Sequence, residues 1–296
     1  MAPYPRTKFL VEPTPPNGLD VLATEHVIRG ELIMSDKPIL CYAGDDGPLH
    51  TNGGISPQIS LERYEKLFRD FDRLPYEQRR MYDCLVHHKH FDQQAEQYTH
   101  KYPTTQKMDR EHILVYGKFE QNAFVEQNLA APREQLEKPK RAVFVDAARF
   151  NHSCTPNAFA MFDCSAIMTD EWRLHVRALR EIDMGEEITI AYVPVLVHPV
   201  GRNNDLMKKF SFKCRCKACG PKEGVAKLGW TDYEPVSASR RHKLYFLDLT
   251  FVKESASEPE GPEAEELKVT RRIELLEQRL ALMTEEGVEG LSKSEA

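Results

Sequence analysis

In the first part of the chain, the spacing of hydrophobic positions is typical of β-strands. Short apolar segments at residues 27–28, 32–34 and 39–40 are separated by glycine and proline. Short apolar runs bounded by turn residues are typical of β-strands. We therefore predict a small β-meander between residues 17 and 42.

After residue 60, the spacing of hydrophobic positions becomes typical of α-helices. Apolar residues recur at three- and four-residue spacing, which predicts one helix before Pro75, a second after it, and a third from residue 109 to about 124. Their apolar positions are Leu61, Tyr64, Leu67, Phe68, Phe71, Met81, Leu85, Ile113, Tyr116 and Phe119. The polar stretch between residues 87 and 109 has little to bury, so we predict a mobile loop or a frayed helix there.

Strand patterns return in the second half of the chain. Apolar, β-branched segments lie at residues 142–145, 174–178 and 187–192. The helices at about 44–125 therefore form an insert that interrupts a β-domain. We expect a mostly β fold with a helical insert, in the α+β class.

The C-terminal part is predicted to be helical. We expect a helix from residue 238 to about 251, an acidic linker rich in Ser, Pro and Glu at 253–263, and a final amphipathic helix. Apolar residues on one face of the last helix are Leu267, Ile273, Leu276, Leu280 and Met283. Packing of this face on the domain is the favoured interpretation, and binding of a partner is the alternative.

Composition narrows the class of protein. The chain has 296 residues, 41% hydrophobic and 29% charged, with a formal net charge of −6. These values are ordinary for a globular protein and argue against attraction of the whole molecule to nucleic acid. Because no apolar run is long enough to span a bilayer and the first residues lack a signal core, we expect an intracellular protein without membrane contact, in the nucleus or the cytoplasm.

Three cysteines are crowded into one short segment. Cys214, Cys216 and Cys219 form a C-x-C-x-x-C run, which in a reducing compartment indicates metal binding rather than disulfides. Structural zinc sites take four sulfur or nitrogen ligands, so a fourth ligand must come from elsewhere. The candidates are Cys41, Cys84, Cys154, Cys164 or a histidine, and composition does not choose among them.

Two further motifs contain polar groups beside apolar segments. The run from Asn151 to Cys154 reads Asn-His-Ser-Cys, and His152 in it is a ligand-holding residue, a general base or a buried structural histidine. The segment 181–192 has a turn at Gly185 followed by a strand that ends in Tyr192. A tyrosine at a strand end is by itself a packing residue, so catalysis depends on the combination.

Together these three motifs resemble the SET-domain methyltransferases. The Asn-His-Ser-Cys run, the Gly-Glu-Glu-Ile strand ending in Tyr192, and the Phe-x-Cys-x-Cys-x-x-Cys run have the order and separations of that family. The opening segments 18–24 and 29–33 resemble the start of the split SET fold, and residues 120–124 resemble the end of the helical insert in SMYD-like members. The resemblance covers about 7–220 and is nearest to fungal-type members without a MYND finger.

The resemblance implies a fold and a set of site residues. It implies a β-clip type fold of small sheets with a SET domain at 7–192, a post-SET zinc segment at 193–220 and a C-terminal helical extension at 221–296. By similarity, S-adenosylmethionine is bound by Gly18, Asp20, Asn122, Asn151, His152, Tyr192 and Phe212, with Phe212 against the adenine. The resemblance also implies that Cys154 joins Cys214, Cys216 and Cys219 as the four zinc ligands.

The resemblance also implies a reaction. Tyr192 orients a lysine amine and the methyl group through its hydroxyl rather than acting as a base, and a cationic cofactor beside it would lower the tyrosine pKa. The expected function is lysine N-methylation of a histone or another protein by a monomer without direct nucleic-acid contact. Asp20 stands where the family pattern often has a second glycine. The alternative is therefore a SET-fold zinc-binding scaffold with weak or no activity.

Overall fold

The elements of the fold are short. A computed structural model describes residues 7–14, 18–43, 50–51, 54–55, 61–101, 110–125, 140–162, 173–197, 199–216, 218–219, 239–244, 246–247, 250 and 262–286. The strands are β1 (Phe9–Thr14), β2 (Gly18–Ala23), β3 (Leu32–Asp36), β4 (Leu40–Ala43), β5 (His50–Thr51), β6 (Gly54–Ile55), β7 (Ala123–Val125), β8 (Lys140–Val143), β9 (Asn151–His152), β10 (Ala158–Phe162), β11 (Leu174–Ala178) and β12 (Thr189–Ile190). The helices are α1 (Leu61–Asp72), α2 (Tyr76–Asp83), α3 (Lys89–Lys101), α4 (Arg110–Asn122), α5 (Pro199–Phe210) and α6 (Pro262–Glu286).

Small sheets surround the central core. β1 and β2 form an antiparallel hairpin, β11 lies between β10 and β3, and β9 pairs in parallel with β12. Their inner faces bury branched and aromatic side chains, each contributing about 1.5–3 kcal/mol. This core includes Val21, Ile33, Phe144, Phe150, Val176, Ile182 and Ile188. The prediction of an α+β fold built on small sheets is confirmed.

The helical insert has a core of its own. β8 lies between β4 and β7, and this sheet adjoins α1 and α4. Six of the twelve buried residues in this core are apolar positions predicted from helical spacing: Leu67, Phe71, Leu85, Ile113, Tyr116 and Phe119. The helices predicted on either side of Pro75 and at 109–124 are confirmed.

The polar stretch after residue 87 is a helix where the structure describes it. A loop was one of its two predicted states, and that state is wrong for α3, because Phe91 and Ala95 are buried against α4. Gly117 allows this close approach, since a Cβ there would lie 2.6 Å from Cγ of Phe91. Among the described side chains of α3, Phe91 and Ala95 are the buried ones, and their spacing is too weak a periodic signal to predict a thirteen-residue helix.

Other elements differ from the sequence prediction. Neither β1 nor α5 was predicted. The strand expected at 187–192 is shortened to β12 (Thr189–Ile190), because its partner β9 has only two residues. The segment expected at 27–28 is a single antiparallel bridge in which Val27 and Ile182 exchange two backbone hydrogen bonds of 2.9 Å. The strand predicted at 142–145 overlaps β8 only at residues 142–143, and β11 matches its prediction. The β-meander predicted at 17–42 is wrong, because β2, β3 and β4 pair in three different sheets with strands distant in the chain or with β1.

The C-terminal part packs through different residues from those expected. Residues 239–244 are helical, as predicted, and the linker expected at 253–263 falls outside the described residues except for the start of α6. In α6, Leu275 and Met283 are buried, whereas Leu267 is 72% and Leu280 60% exposed. The predicted apolar face therefore meets the domain only at Met283. None of the helices in the described ranges is both long and apolar enough to span a membrane.

Candidate functional site

The chain enters the candidate site through a short capped turn. Oδ2 of Asp36, the last residue of β3, accepts hydrogen bonds from the backbone N–H groups of Asp146 (3.0 Å) and Ala147 (3.2 Å). These are the first N–H groups of the 3₁₀ turn Ala147–Arg149, which has no earlier turn to pair with. The turn leads directly into β9, so its hydrogen bonds to Asp36 fix the position at which β9, with Asn151 and His152, begins.

A buried asparagine joins this segment to the turn before β12. Nδ2 of Asn157 donates to the backbone oxygen of Glu187 (2.8 Å) and to Oε1 of Glu186 (3.0 Å), while its Oδ1 accepts from the N–H of Thr189 (2.8 Å). Gly185 has φ +83°, a conformation that favours glycine, and the turn predicted there is confirmed. The two motifs are therefore fixed side by side.

The side chain of Asn151 lies among three oxygen atoms. Its Nδ2 is 2.8 Å from the backbone oxygen of Leu19, 2.9 Å from Oε1 of Glu187 and 3.0 Å from Oδ1 of Asp20. An amide NH₂ has only two hydrogens, so the three acceptors share them. The carboxylates of Asp20 and Glu187 thus converge on one amide, where β2, β9 and β12 meet.

Replacing Asn151 with aspartate tests this arrangement. The isosteric Asn151→Asp change would point an oxygen at three oxygens, so we expect the free energy of unfolding to fall by about 1–3 kcal/mol. Urea unfolding followed by circular dichroism measures the change. The double variant Asn151→Asp/Glu187→Gln is expected to recover at least about half of the loss, because an amide again faces a carboxylate. Unchanged stability of the single variant would contradict the arrangement.

Tyr192 is held through both its backbone and its hydroxyl. The hydroxyl donates to the backbone oxygen of Phe150 at 2.5 Å, and the backbone N–H donates to Nδ1 of His152 at 3.0 Å. Burial, together with the negative charge of Glu187, raises the pKa of Tyr192 well above its ordinary value. The hydroxyl is therefore neutral, and because its proton points at Phe150, the lone pairs of its oxygen are the part that could accept a hydrogen bond.

Aromatic rings from two other chain segments surround Tyr192. Its ring centroid lies 4.9 Å from that of Phe210, 5.4 Å from that of His152 and 6.4 Å from that of Phe212. Ser211 connects the two phenylalanines in the left-handed conformation, at φ 63°, which costs a non-glycine residue about 1–2 kcal/mol. This residue ends α5 and redirects the chain, so that both phenylalanine rings pack beside Tyr192.

Both ring nitrogens of His152 are bonded within the protein. Because Nδ1 accepts from Tyr192, the proton of the neutral ring lies on Nε2, which is 3.3 Å from Sγ of Cys154. Burial, with the positive charge of Arg202 adding to it, lowers the pKa of His152 to about 4. His152 is therefore neutral at pH 7 and links Cys154 to the backbone of Tyr192.

Four cysteines converge next to this site. The Sγ atoms of Cys154, Cys214, Cys216 and Cys219 all lie within 4.8 Å of one another, and those of Cys154 and Cys219 are 3.5 Å apart. Sulfur atoms each about 2.3 Å from a tetrahedral zinc ion would be about 3.8 Å apart, so the spacing fits zinc. Of the other candidates for fourth ligand, Cys41 and Cys84 are exposed, and Cys164 lies outside the described residues.

The chemistry of the four thiols agrees with a cation site. Hydrogen bonding with the other three thiols, and then burial, raises the pKa of Cys154, whereas the same thiol contacts lower the pKa of Cys216. Thiols this close cannot all ionise without a cation among them, and a Cys₄ set favours zinc.

A buried arginine also faces the thiols. Nε of Arg202 is 3.2 Å from Sγ of Cys154, and Nη2 is 3.3 Å from Sγ of Cys219. Burial alone would lower the pKa of Arg202, but its electrostatic and hydrogen-bond interactions with Cys154 and Cys219 outweigh it and raise the pKa. Arg202 is therefore a buried cation paired with sulfur.

The remaining predicted site residues lie at the ends of secondary-structure elements. Gly18 begins β2, and a Cβ added there would meet only ordinary contacts, the nearest 3.6 Å away at the backbone oxygen of Thr14. Asn122 ends α4, and its Nδ2 donates to the backbone oxygens of Lys118 (2.7 Å) and Val86 (2.8 Å), inside the insert. The amide of Asn122 thus has a structural role, and its contact with a cofactor stays a prediction.

Sequence reasoning missed three residues of the site. Glu187 was quoted in a motif without a role, although its position two residues before β12 places its carboxylate on Asn151. Phe210 could have been found from the aromatic pair it forms with Phe212 across Ser211. Arg202 gave no signal, because an arginine in a polar helix is ordinarily exposed.

Comparison with known proteins agrees with these motifs. The family model described as SET domain matches residues 18–193, more than half of the chain. The chain is 32% identical over 135 residues to a SET domain-containing protein of Acanthamoeba polyphaga mimivirus, 33% over 90 residues to the N-lysine methyltransferase SMYD2-A of Xenopus laevis, and 29% over 126 residues to the histone-lysine N-methyltransferase set5 of Schizosaccharomyces pombe. These alignments cover 45%, 30% and 43% of this chain, and 44%, 19% and 36% of the three relatives' own lengths.

Proposed function

Since this chain belongs to the SET-domain family, we propose that it is an S-adenosylmethionine-dependent protein-lysine N-methyltransferase. The observation that carries the proposal is the environment of Tyr192. Its hydroxyl is fixed on the backbone of Phe150, and its ring packs beside those of His152, Phe210 and Phe212. A neutral, fixed acceptor among buried and half-buried aromatic rings suits an amine that must react uncharged.

The residues around Asn151 fit the proposed cofactor. Bound S-adenosylmethionine supplies a methyl group on a positively charged sulfonium. The carboxylates of Asp20 and Glu187 suit a cationic ligand, and the half-buried ring of Phe212 offers an apolar face for an adenine. Gly18, which neither its conformation nor its neighbours require to be glycine, leaves room for close approach. Gly18, Asp20, Asn122, Asn151, His152, Tyr192 and Phe212 form the proposed cofactor site.

The residues around Tyr192 would act on the lysine. A lysine amine with pKa about 10.4 is neutral in only about one part in a thousand near pH 7.4, a cost of about 4 kcal/mol. The rings of Tyr192, Phe210 and Phe212 would disfavour the ammonium by excluding water. The hydroxyl oxygen of Tyr192 would accept an N–H of the neutral amine and so direct its lone pair, without taking the proton. Tyr192 is thus an orienting catalytic residue.

Zinc would order the segment that closes this site. Cys214, Cys216 and Cys219 follow Phe212 directly, and Cys154 anchors them to the segment of Asn151. The half-buried phenylalanines pack in the same cluster as the cysteines. A structural zinc ion contributes on the order of 10–16 kcal/mol of apparent binding free energy, enough to order a segment with so little apolar core.

The proposal includes an organisation and a partner. We divide the chain into a SET domain at 7–192 with its insert at about 44–125, a post-SET segment at 193–220 and a C-terminal extension at 221–296. The substrate would be a lysine in a histone or another protein, acted on by a monomer in the nucleus or the cytoplasm. Zinc-binding scaffold function is the second candidate, because Asp20 bonds to the amide of Asn151 where the family pattern has glycine.

Cofactor binding separates the two candidates. Calorimetric titration of the zinc-loaded protein with S-adenosylmethionine is expected to show saturable one-to-one binding, followed by transfer of labelled methyl to histones or to proteins of a cell extract. The matched variant Asp20→Gly should bind the cofactor and transfer methyl as well. Binding without transfer by both proteins would favour the scaffold, and no binding by a folded, zinc-loaded protein would refute the enzyme.

A further inference from the structure

Arg202 lies in the first turn of α5, a helix between Tyr192 and the three clustered cysteines. Its side chain has 0% relative exposure, and it is among the largest side chains buried so completely in the described part of the chain. A buried guanidinium is costly unless its charge is compensated and its N–H groups are bonded. The position of Arg202 therefore needs a specific partner.

The partners of Arg202 are sulfur atoms and backbone oxygens. Nε and Nη2 lie within 3.3 Å of the Sγ atoms of Cys154 and Cys219, while Nη1 donates to the backbone oxygens of Val195 (3.0 Å) and Val197 (2.5 Å). The planar guanidinium of Arg202 thus joins two thiols, which are 65 residues apart in the chain, to the segment that follows Tyr192.

The charges of the site explain why a cation is buried there. Four thiolates around one zinc ion have a net charge of about −2. Arg202 and a second fully buried arginine, Arg241, whose Nη1 donates to the backbone oxygens of Cys154 (2.8 Å) and Val195 (2.7 Å), together have two positive charges. The zinc-loaded centre would then be close to neutral. Charge-assisted N–H···S contacts also fix the direction of the sulfur lone pairs.

We propose that Arg202 is a positioning residue of the metal centre, whose guanidinium neutralises and orients the thiolates of Cys154 and Cys219 and fixes them to the chain after Tyr192. This inference rests on the proposed zinc site and adds a residue outside the four ligands. Since Cys154 also faces Nε2 of His152, which bonds to the backbone of Tyr192, the same contacts link the metal centre to the catalytic tyrosine.

Metal affinity tests the role of Arg202 without reference to activity. Removing an outer partner of a metal ligand costs about 10–100-fold in affinity, so we expect Arg202→Met to weaken zinc binding by about that factor. Arg202→Lys keeps the positive charge but loses the planar set of N–H donors, and it is expected to weaken zinc binding by a smaller factor than Arg202→Met. Competition with a chromophoric chelator measures the dissociation constants.

The control is Lys208→Met, which removes a positive charge from an exposed position on the same helix. We expect this variant to bind zinc within about twofold of the wild type. The cobalt-loaded protein gives a second measurement, because its sulfur-to-cobalt absorption reports the electron density on the thiolates. This band should shift in Arg202→Met and stay unchanged in Lys208→Met.

The outcomes distinguish this proposal from the zinc site itself. Wild-type protein that binds no zinc would refute the metal site. Zinc affinity and a cobalt spectrum that are the same in wild type and Arg202→Met would refute the role of Arg202 alone. If Arg202→Met does not fold, Arg202→Lys decides: zinc binding as tight as in the wild type would overturn the proposal, and weaker binding would support it.

Discussion

Replacing Tyr192 with phenylalanine is expected to lower the rate of methyl transfer by about 10²–10³-fold, the usual cost of removing one group that is fixed for the transition state. The change removes only the hydroxyl, which donates to Phe150 at 2.5 Å. The ring would keep its packing on Phe210, so zinc content and far-ultraviolet circular dichroism should stay as in the wild type. The rate is measured by transfer of labelled methyl at saturating S-adenosylmethionine.

A second buried tyrosine provides a matched control. Tyr82 in the helical insert has 0% relative exposure, and its hydroxyl donates to the backbone oxygen of Val115 at 2.7 Å. Tyr82→Phe removes the same atom and the same kind of hydrogen bond, at a cost of about 0.5–1.5 kcal/mol of stability. Its rate should stay within about twofold of the wild type. Equal losses in the two variants would show that the hydroxyl of Tyr192 acts only on stability.

Removal of zinc is expected to abolish both cofactor binding and methyl transfer. Four of the residues in the cluster around Phe212 are the proposed zinc ligands themselves: Cys154, Cys214, Cys216 and Cys219. Without the metal, therefore, little apolar core remains around Phe212. Chelation should therefore release Phe210 and Phe212 from Tyr192, and added zinc should restore activity. Calorimetry with S-adenosylmethionine and the label-transfer assay measure the two losses.

Cysteine variants test the same dependence without a chelator. Cys216→Ser should lower the zinc content below about half an equivalent and reduce the rate of methyl transfer to background. The hydroxyl of serine is a harder and weaker zinc ligand than the thiolate it replaces in a four-sulfur site. Cys84→Ser changes an exposed cysteine outside the cluster and should behave as wild type. Full activity of the metal-free protein would contradict the role given to zinc.

The sequence predicted those parts of the site in which residue type alone determines the chemistry. Three thiols at C-x-C-x-x-C spacing can do little in a reducing compartment except bind metal, and the structure adds Cys154 to them as the family likeness implied. Helices with strong apolar periodicity, such as α1 and α4, were predicted for the same reason. In each case one local pattern was sufficient.

Other parts depend on contacts between segments distant in the chain. In the described part of α3, Phe91 and Ala95 are buried in the core of the insert, where Gly117 leaves space for the ring of Phe91. The sequence of α3 alone does not show that space. Arg202 is buried because two cysteines and two carbonyl groups converge on it from three segments. Asn151 and His152 were expected to hold the cofactor through backbone and side-chain contacts. Both ring nitrogens of His152 are bonded within the protein, to Tyr192 and Cys154, so the backbone of His152 is the part left for a cofactor contact, which stays a prediction.

The most direct test is to identify the atom that receives the methyl group. Zinc-loaded protein is incubated with methyl-labelled S-adenosylmethionine and either core histones or a cell extract, and the labelled peptides are sequenced by mass spectrometry. We predict label on lysine side-chain nitrogen with the wild type and with Tyr82→Phe, and label near background with Tyr192→Phe. Label on no lysine, from a protein that binds both zinc and the cofactor, would contradict the proposed function.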